Sequence, residues 1–83
     1  MNHIPITFEH EGKRYNGFFN QVSGSGNTAA FHLYDTQNFF LGKLSNTNGW
    51  VFETTPTTEG FKQLADFFGD YVTNWQKGGS SHF

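Results

Sequence analysis

Apolar and polar residues alternate over residues 4–9 with the two-residue period of a β-strand. Glu11 and Gly12 then predict a two-residue hairpin turn, because glycine adopts a positive φ without steric cost. The register that this turn sets gathers the large apolar residues on one face, whereas a slip of one residue would set Phe8 against Arg14. The predicted pairs are Phe8 with Tyr15, Ile6 with Gly17 and Ile4 with Phe19 on the core face, and Glu9 with Arg14 and Thr7 with Asn16 on the other face.

The same pattern continues through two further hairpins. Residues 23–27 are rich in Gly and Ser and predict a loop, which is followed by strands at 28–34 and 39–45. Gly49 fits the left-handed position of a three-residue loop before the fifth strand. Three hairpins that agree on one buried face predict an antiparallel meander. The predicted pairs are Leu33 with Phe40, Phe31 with Gly42 and Ala29 with Leu44 across a four-residue loop, and Leu44 with Phe52 and Lys43 with Glu53 across the last turn.

The last third of the chain predicts an amphipathic helix. Thr55 or Thr57 can cap it and Pro56 is tolerated in its first turn, while Gly78 and Gly79 end it. At about 1.5 Å per residue, a helix of roughly 20 residues spans about 30 Å, which is enough to cross most of a five-stranded sheet. Apolar residues recur at three- and four-residue spacing and form one stripe. The stripe consists of Phe61, Leu64, Ala65, Phe68, Tyr71, Val72 and Trp75.

The predicted fold class is therefore α+β, with a five-stranded antiparallel β-meander packed against one C-terminal amphipathic helix. The sheet is either open or strongly curled into a partial barrel. A chain of 83 residues has room for one core only. We therefore predict that residues 1–79 form a single domain and that residues 80–83 form a flexible C-terminal tail. Gly17 and Gly42 lie in mid-strand, and two explanations stay open for them. Either the helix and its rings approach the sheet there, or the glycines mark bulges or strong local twist.

Composition limits the class of protein further. Eleven Phe, three Tyr and two Trp residues supply a large apolar area, and the absence of Cys excludes disulfides and thiolate metal sites. A net charge of −2 with only five Lys and Arg residues argues against nucleic acid as the main partner. The chain shows no signal peptide and no transmembrane segment, so we expect no membrane association and a cytoplasmic location.

Candidate catalytic and metal-binding groups are sparse. His3, His10, His32 and His82 lack the helical i, i+4 spacing of a zinc motif. The glycines in 24–26 are not followed by the Lys-Ser/Thr pair of a phosphate loop. The Ser residues have no matching base, and the carboxylates fall at positions where charges face solvent. We therefore predict no enzymatic activity, no cofactor and no metal site.

The informative feature is the sheet face that the helix does not cover. An open antiparallel sheet normally presents polar residues to water on that side, so an apolar centre with a polar rim indicates an interface. The alternative is that the sheet curls and buries these residues itself. The registers place Phe18, Val22, His32, Tyr34, Phe39, Leu41 and Val51 on this face, with Tyr34 beside Phe39 and His32 opposite Leu41. The predicted partner-binding residues are Phe18, His32, Tyr34, Phe39 and Leu41.

These observations favour a small non-catalytic protein-interaction module that self-associates as a homodimer or binds a protein partner through this face. A single-stranded nucleic-acid binder that stacks bases on the rings is the second hypothesis. A small-ligand carrier with a pocket lined by Trp50, Tyr15 and Phe rings is the third. Segments 12–18 and 39–44 resemble motifs of small bacterial β-plus-helix proteins, a resemblance that implies no function and no site.

Overall fold

The computed structural model describes residues 3–24 and 29–76, which form a five-stranded antiparallel sheet and a C-terminal helix. Each strand pairs with the next along the chain, so the sheet order is the sequence order. The first and last strands are edges of an open sheet, which confirms the open version of the predicted α+β fold. The strands are β1 (His3–His10), β2 (Lys13–Ser23), β3 (Ala30–Asp35), β4 (Phe40–Asn46) and β5 (Trp50–Thr54), followed by a 3₁₀ helix (Glu59–Leu64) and α1 (Ala65–Gln76).

The first and third hairpins have the predicted registers. Glu11 and Gly12 both adopt positive φ, 53° and 81°, as a type I′ turn requires. In the third hairpin, Gly49 has a φ of 116° and its N–H donates to the Asn46 side-chain oxygen at 3.2 Å. The observed pairs include Phe8 with Tyr15, Ile6 with Gly17, Ile4 with Phe19, Leu44 with Phe52 and Lys43 with Glu53.

The middle hairpin differs from the prediction, and all three predicted pairs across it were wrong. Phe31 pairs with Leu44 and Leu33 pairs with Gly42, which is a shift of two residues. Because the side-chain period of a strand is also two, the shift leaves these residues on the predicted core face. The loop geometry accounts for one residue of this register shift, and a β-bulge accounts for the other.

Asp35 shapes the loop of this hairpin. Its side-chain oxygen accepts hydrogen bonds from the N–H groups of Gln37 at 2.8 Å and Phe39 at 3.0 Å. Asn38 adopts the left-handed conformation, with a φ of 68°, which Asn tolerates better than most residues. The loop therefore spans three residues, 36–38, instead of the predicted four.

A β-bulge in β4 supplies the second part of the shift. Tyr34 pairs with Phe40 and Leu33 pairs with Gly42, so Leu41 is the extra residue between these two pairs. Leu41 packs against the hydrophobic core as a result. The predicted place of Leu41 on the open face was therefore wrong. A second bulge, at Val22, separates the pairs of Gln21 and Ser23 with β3.

The mid-strand glycines are explained by close approach within the sheet. A Cβ atom at Gly17 would overlap the carbonyl oxygen of Tyr34, and one at Gly42 would overlap the ring of Phe52. The bulge explanation holds for Gly42, which follows the extra residue of β4. The helix makes its own close approach to the sheet at Gly69, where a Cβ atom would overlap the indole of Trp50.

The core fills the space between one sheet face and the helical segments. Phe68 lies at its centre and is completely buried. Its ring centroid is 4.9 Å from that of Phe52, 5.1 Å from that of Phe8 and 5.5 Å from that of Phe19. Edge-to-face packing of this kind adds to the free energy gained from burying the rings. The core cluster comprises Ile4, Ile6, Phe8, Phe19, Ala29, Phe31, Leu33, Leu44, Phe52, Phe61, Phe68 and Val72.

The helical region begins later than predicted and has two parts. Thr58, and not 55–57, precedes its first turn, which is 3₁₀ rather than α-helical. The Thr58 hydroxyl accepts from the N–H of Thr55 at 2.9 Å and donates to the carbonyl oxygen of Leu41 at 2.8 Å. The predicted apolar stripe does face the core. The predicted end at 78–79, the domain limit at 79, the tail 80–83 and most of the 23–27 loop lie outside the described residues.

Candidate functional site

Two rows of side chains cross the sheet on the face opposite the helix. Cross-strand pairing aligns them, because residues directly opposite each other in an antiparallel sheet share a face. One row, which we call the aromatic row, begins at Pro5 and continues through the rings of Phe18, Tyr34 and Phe40. The neighbouring polar row runs through His3, Asn20, His32, Lys43 and Glu53.

Five rings from these rows form a continuous network, which we call the open-face cluster. His3 stacks on Phe18 with centroids 4.1 Å apart, and Phe18 stacks on Tyr34 at 5.5 Å. Phe40 meets His32 at 5.1 Å and Tyr34 at 5.9 Å, both edge to face. His32 Nδ1 lies 3.4 Å from the Tyr34 hydroxyl. The cluster therefore spans β1 to β4 without a break.

Three of the five residues predicted to bind a partner lie together in this cluster: Phe18, His32 and Tyr34. Phe39 belongs to the adjoining turn, where its backbone carbonyl accepts from Asp35 N–H at 3.0 Å, and it is 64% exposed. Leu41 lies on the core side, as described above. Phe39 lies opposite Asp35, which belongs to the row of Ile6 and Gly17 on the helix side of the sheet. The predicted neighbours of Tyr34 and His32, Phe39 and Leu41, were therefore wrong, because Tyr34 pairs with Phe40 and His32 with Lys43. The structure thus keeps three of the five residues on the open face.

Sequence reasoning missed two members of the cluster, His3 and Phe40. His3 shares the alternation of Pro5 and Thr7, so extending the predicted register of β1 by one residue would have found it. Phe40 takes the place predicted for Phe39 opposite Tyr34 because the loop is one residue shorter than predicted, and the bulge at Leu41 leaves Lys43 opposite His32. A strict two-residue alternation cannot reveal that exchange.

The charges of the open face balance. Glu9 and Arg14 form an exposed ion pair with a closest N–O distance of 3.3 Å. Lys43 and Glu53 are direct cross-strand partners. With neutral histidines, these four residues give the face no net charge, and the two pairs flank the apolar centre. Such a surface offers apolar and ring contacts with a polar border, but no concentration of positive charge.

Other kinds of site find little support. Within residues 3–24 and 29–76, no three His, Asp or Glu side chains lie close enough to hold a metal ion. In the same ranges, no helix has both the length and the apolar character needed to cross a bilayer. Comparison with protein-family models, curated proteins and solved structures finds no match to this chain. The resemblance of two segments to small bacterial proteins therefore gains no support.

Proposed function

We propose that this chain is a small, non-catalytic protein-interaction module that pairs with a second copy of itself through the open-face cluster. The observation that carries the proposal is the continuous network of five rings on a sheet face that no element of the described chain covers. Phe40, a member of this cluster, is 44% exposed. Large rings of this kind dominate interface energetics once they are desolvated.

Self-association is favoured over other occupants by the charge of the face. A two-fold interface brings the same patch of both copies together, so the patch must complement itself. A face with equal numbers of positive and negative side chains around an apolar centre meets that condition. The same balance disfavours single-stranded nucleic acid, whose phosphates require clustered Lys and Arg.

The edge of β1 is a poor alternative surface for association. Pro5 has no N–H to offer an incoming strand, and its carbonyl oxygen already accepts a hydrogen bond from the Tyr71 hydroxyl. This combination discourages the pairing of β1 with another strand. The proposal therefore concerns sheet faces packed together and not the pairing of two β1 edges.

The size of the face indicates how strong the association is. Five strands about 4.8 Å apart and about seven residues long present a footprint of roughly 500–600 Å². Two such faces bury roughly 1,000–1,200 Å² in total, at the low end of specific interfaces. We therefore expect a reversible dimer with a micromolar dissociation constant. The cytoplasmic setting expected from the cysteine-free sequence is part of the proposal.

Sedimentation velocity over a concentration series tests the proposal. The account predicts a dimer fraction that rises with concentration across the micromolar range, from mostly monomer well below the dissociation constant to mostly dimer well above it, as mass action requires. A sedimentation coefficient that stays monomeric throughout contradicts self-association. In that case the face would serve a different protein, or none.

A further inference from the structure

A cleft lies on the helix side of the sheet, between the β1–β2 turn and the 3₁₀ helix. Its volume is about 270 Å³, a size suited to a small organic group. Tyr15, Leu41 and Phe61 give it apolar walls, and His10 and Glu11 give it polar groups. The Phe61 ring meets those of Tyr15 and His10 edge to face, at 5.0 Å and 5.5 Å.

The imidazole of His10 carries an unsatisfied atom at this cleft. Its Nε2 is buried and has no hydrogen-bond partner, and the side chain as a whole is only 12% exposed. A buried polar atom without a partner is costly, so native proteins retain few of them without a ligand, an ion or a water to satisfy them. The other lining atoms do not supply this partner.

Glu11 indicates the charge of the ligand that the cleft can bind. Its carboxylate is 77% exposed and lies 3.6 Å from His10 Nε2. The imidazole nitrogen and the carboxylate oxygen are both acceptors, and they are close enough to bind the same donor group. A group with several N–H donors can form a hydrogen bond of about 2.8–2.9 Å to each of them. A carboxylate at the same place repels anions, so phosphate and carboxylate ligands are disfavoured.

We propose that this cleft binds a small organic ammonium group. The ammonium donates one hydrogen bond to the Glu11 carboxylate. It donates a second to His10 Nε2, with the ring proton on Nδ1, once the exposed Glu11 side chain moves aside to uncover that atom. The carbon body of the ligand packs against Tyr15, Leu41 and Phe61. A free amine and a lysine side chain share this chemistry, and both can reach a cleft at the molecular surface. The site is separate from the open-face cluster and does not depend on dimerisation.

Gly60 gives the site a sharp test. A Cβ atom there would lie 3.0 Å from His10 Nε2 and at least 3.7 Å from any other atom that it approaches. Gly60→Ala would therefore place a methyl group against His10 Nε2 and obstruct the approach of the ammonium, with little other disturbance. Ala also suits a helical segment better than Gly, so the variant should fold at least as well as the wild type. His10→Phe keeps a ring against Phe61 and removes the acceptor.

The experiment is a two-dimensional ¹H–¹⁵N NMR titration with benzylammonium, benzyl alcohol, benzoate and a blocked lysine tripeptide. We expect saturable shifts at the amides of His10, Glu11 and Gly60 with benzylammonium, at least tenfold weaker binding of benzyl alcohol, and none of benzoate. Gly60→Ala and His10→Phe should each lower the affinity at least tenfold. Saturation by the peptide as well would make a lysine side chain an acceptable source of the group.

Several outcomes would overturn the inference. No saturable shift with either amine would mean that water alone satisfies His10. Equal binding of benzoate would remove the role of Glu11, and undiminished binding to a folded Gly60→Ala would place the ligand elsewhere. Performing the titration on Phe40→Ser as well keeps the result independent of self-association.

Discussion

Gly69 of α1 lies directly against the indole ring of Trp50 in β5. A Cβ atom at position 69 would overlap several atoms of that ring, so the helix and the sheet meet there without an intervening side chain. Glycine in a helix interior normally costs about 1 kcal/mol relative to alanine. The contact explains why glycine is kept at position 69 despite that cost, since any larger residue would push the helix, and Phe68 with it, away from Phe52.

The first prediction follows from this contact. Gly69→Ala should lower the free energy of unfolding by about 1–3 kcal/mol, because overpacking against Trp50 outweighs the gain in helix propensity. Urea denaturation followed by tryptophan fluorescence measures the change. Gly60→Ala is the matched control, since it meets only the tip of His10 and should be neutral or stabilising by about 0.5–1 kcal/mol. Equal stability of the two variants would contradict the close contact.

The second prediction concerns the entry to the helical region. The hydroxyl of Thr58, which is 7% exposed, connects the N–H of Thr55 to the carbonyl of Leu41. Thr58→Val keeps the shape but leaves both backbone groups without this partner, and should cost about 1–3 kcal/mol in urea denaturation. The exposed neighbour Thr57 contacts only the Thr55 hydroxyl in this turn, at 3.2 Å. Thr57→Val should therefore change stability by less than about 0.5 kcal/mol. A similar cost for both would refute a special role for the Thr58 hydroxyl.

The third prediction is a pH dependence. Burial raises the pKa of Tyr71 above its ordinary value of 10.0. The folded state thus holds the phenolic proton more tightly than the unfolded state does. Stability from this group is complete below pH 10 and is lost as the pH rises from there through the pKa of the folded state. Tyr71→Phe lacks both this titration and the hydrogen bond to Pro5.

Thermal unfolding of wild type and Tyr71→Phe between pH 7 and pH 11 measures the effect. At pH 7 the wild type should be more stable by about 0.5–1 kcal/mol, from the hydrogen bond to the Pro5 carbonyl. Above pH 10 this difference should shrink, since only the wild type loses the Tyr71 contribution. A difference that stays constant or grows with pH would be inconsistent with a raised pKa.

The fourth prediction uses two phenylalanines of nearly equal exposure. Phe40 is 44% exposed in the open-face cluster, and Phe67 is 47% exposed on the helix. Phe40→Ser should raise the dimer dissociation constant about 30-fold, as expected when truncation of this anchor in both copies costs about 2 kcal/mol in total. Phe67→Ser should leave it unchanged. Sedimentation velocity on both variants distinguishes association through a specific surface from non-specific hydrophobic association. An equal rise in the dissociation constant for both variants would contradict the open-face assignment.

The accuracy of the sequence-based predictions depended on the turns. Glu11-Gly12 and Gly49 carry strong local signals, because their backbone conformations need positive φ, and both registers were confirmed. The middle loop depends on two hydrogen bonds to the Asp35 carboxylate and on a left-handed Asn38. Several loop lengths are compatible with such a sequence. The bulge that follows depends on the packing of Leu41 against the core, a long-range effect that alternation cannot show.

The candidate site inherited that error only in part. The shift of two beyond the bulge leaves Phe31, Leu33, Gly42 and Leu44 on their predicted face, and Phe18, His32 and Tyr34 lie on the open face as predicted. The error falls on the loop and the bulge, where Phe40 takes the place expected for Phe39 and Lys43 the place expected for Leu41. The His10 cleft was beyond sequence reasoning, since it combines the β1–β2 turn with a 3₁₀ helix about fifty residues later and needs their packing.

Isotope-filtered NMR on a mixture of labelled and unlabelled protein tests the central claim most directly. In a concentrated equimolar sample, only contacts between different copies produce nuclear Overhauser effects from ¹³C-bound to ¹²C-bound protons. The account predicts such intermolecular effects among the rings of Phe18, Tyr34 and Phe40, and their loss in Phe40→Ser. Intermolecular effects confined to Phe67 and the helix, or none at any concentration, would contradict self-association through the open face of the sheet.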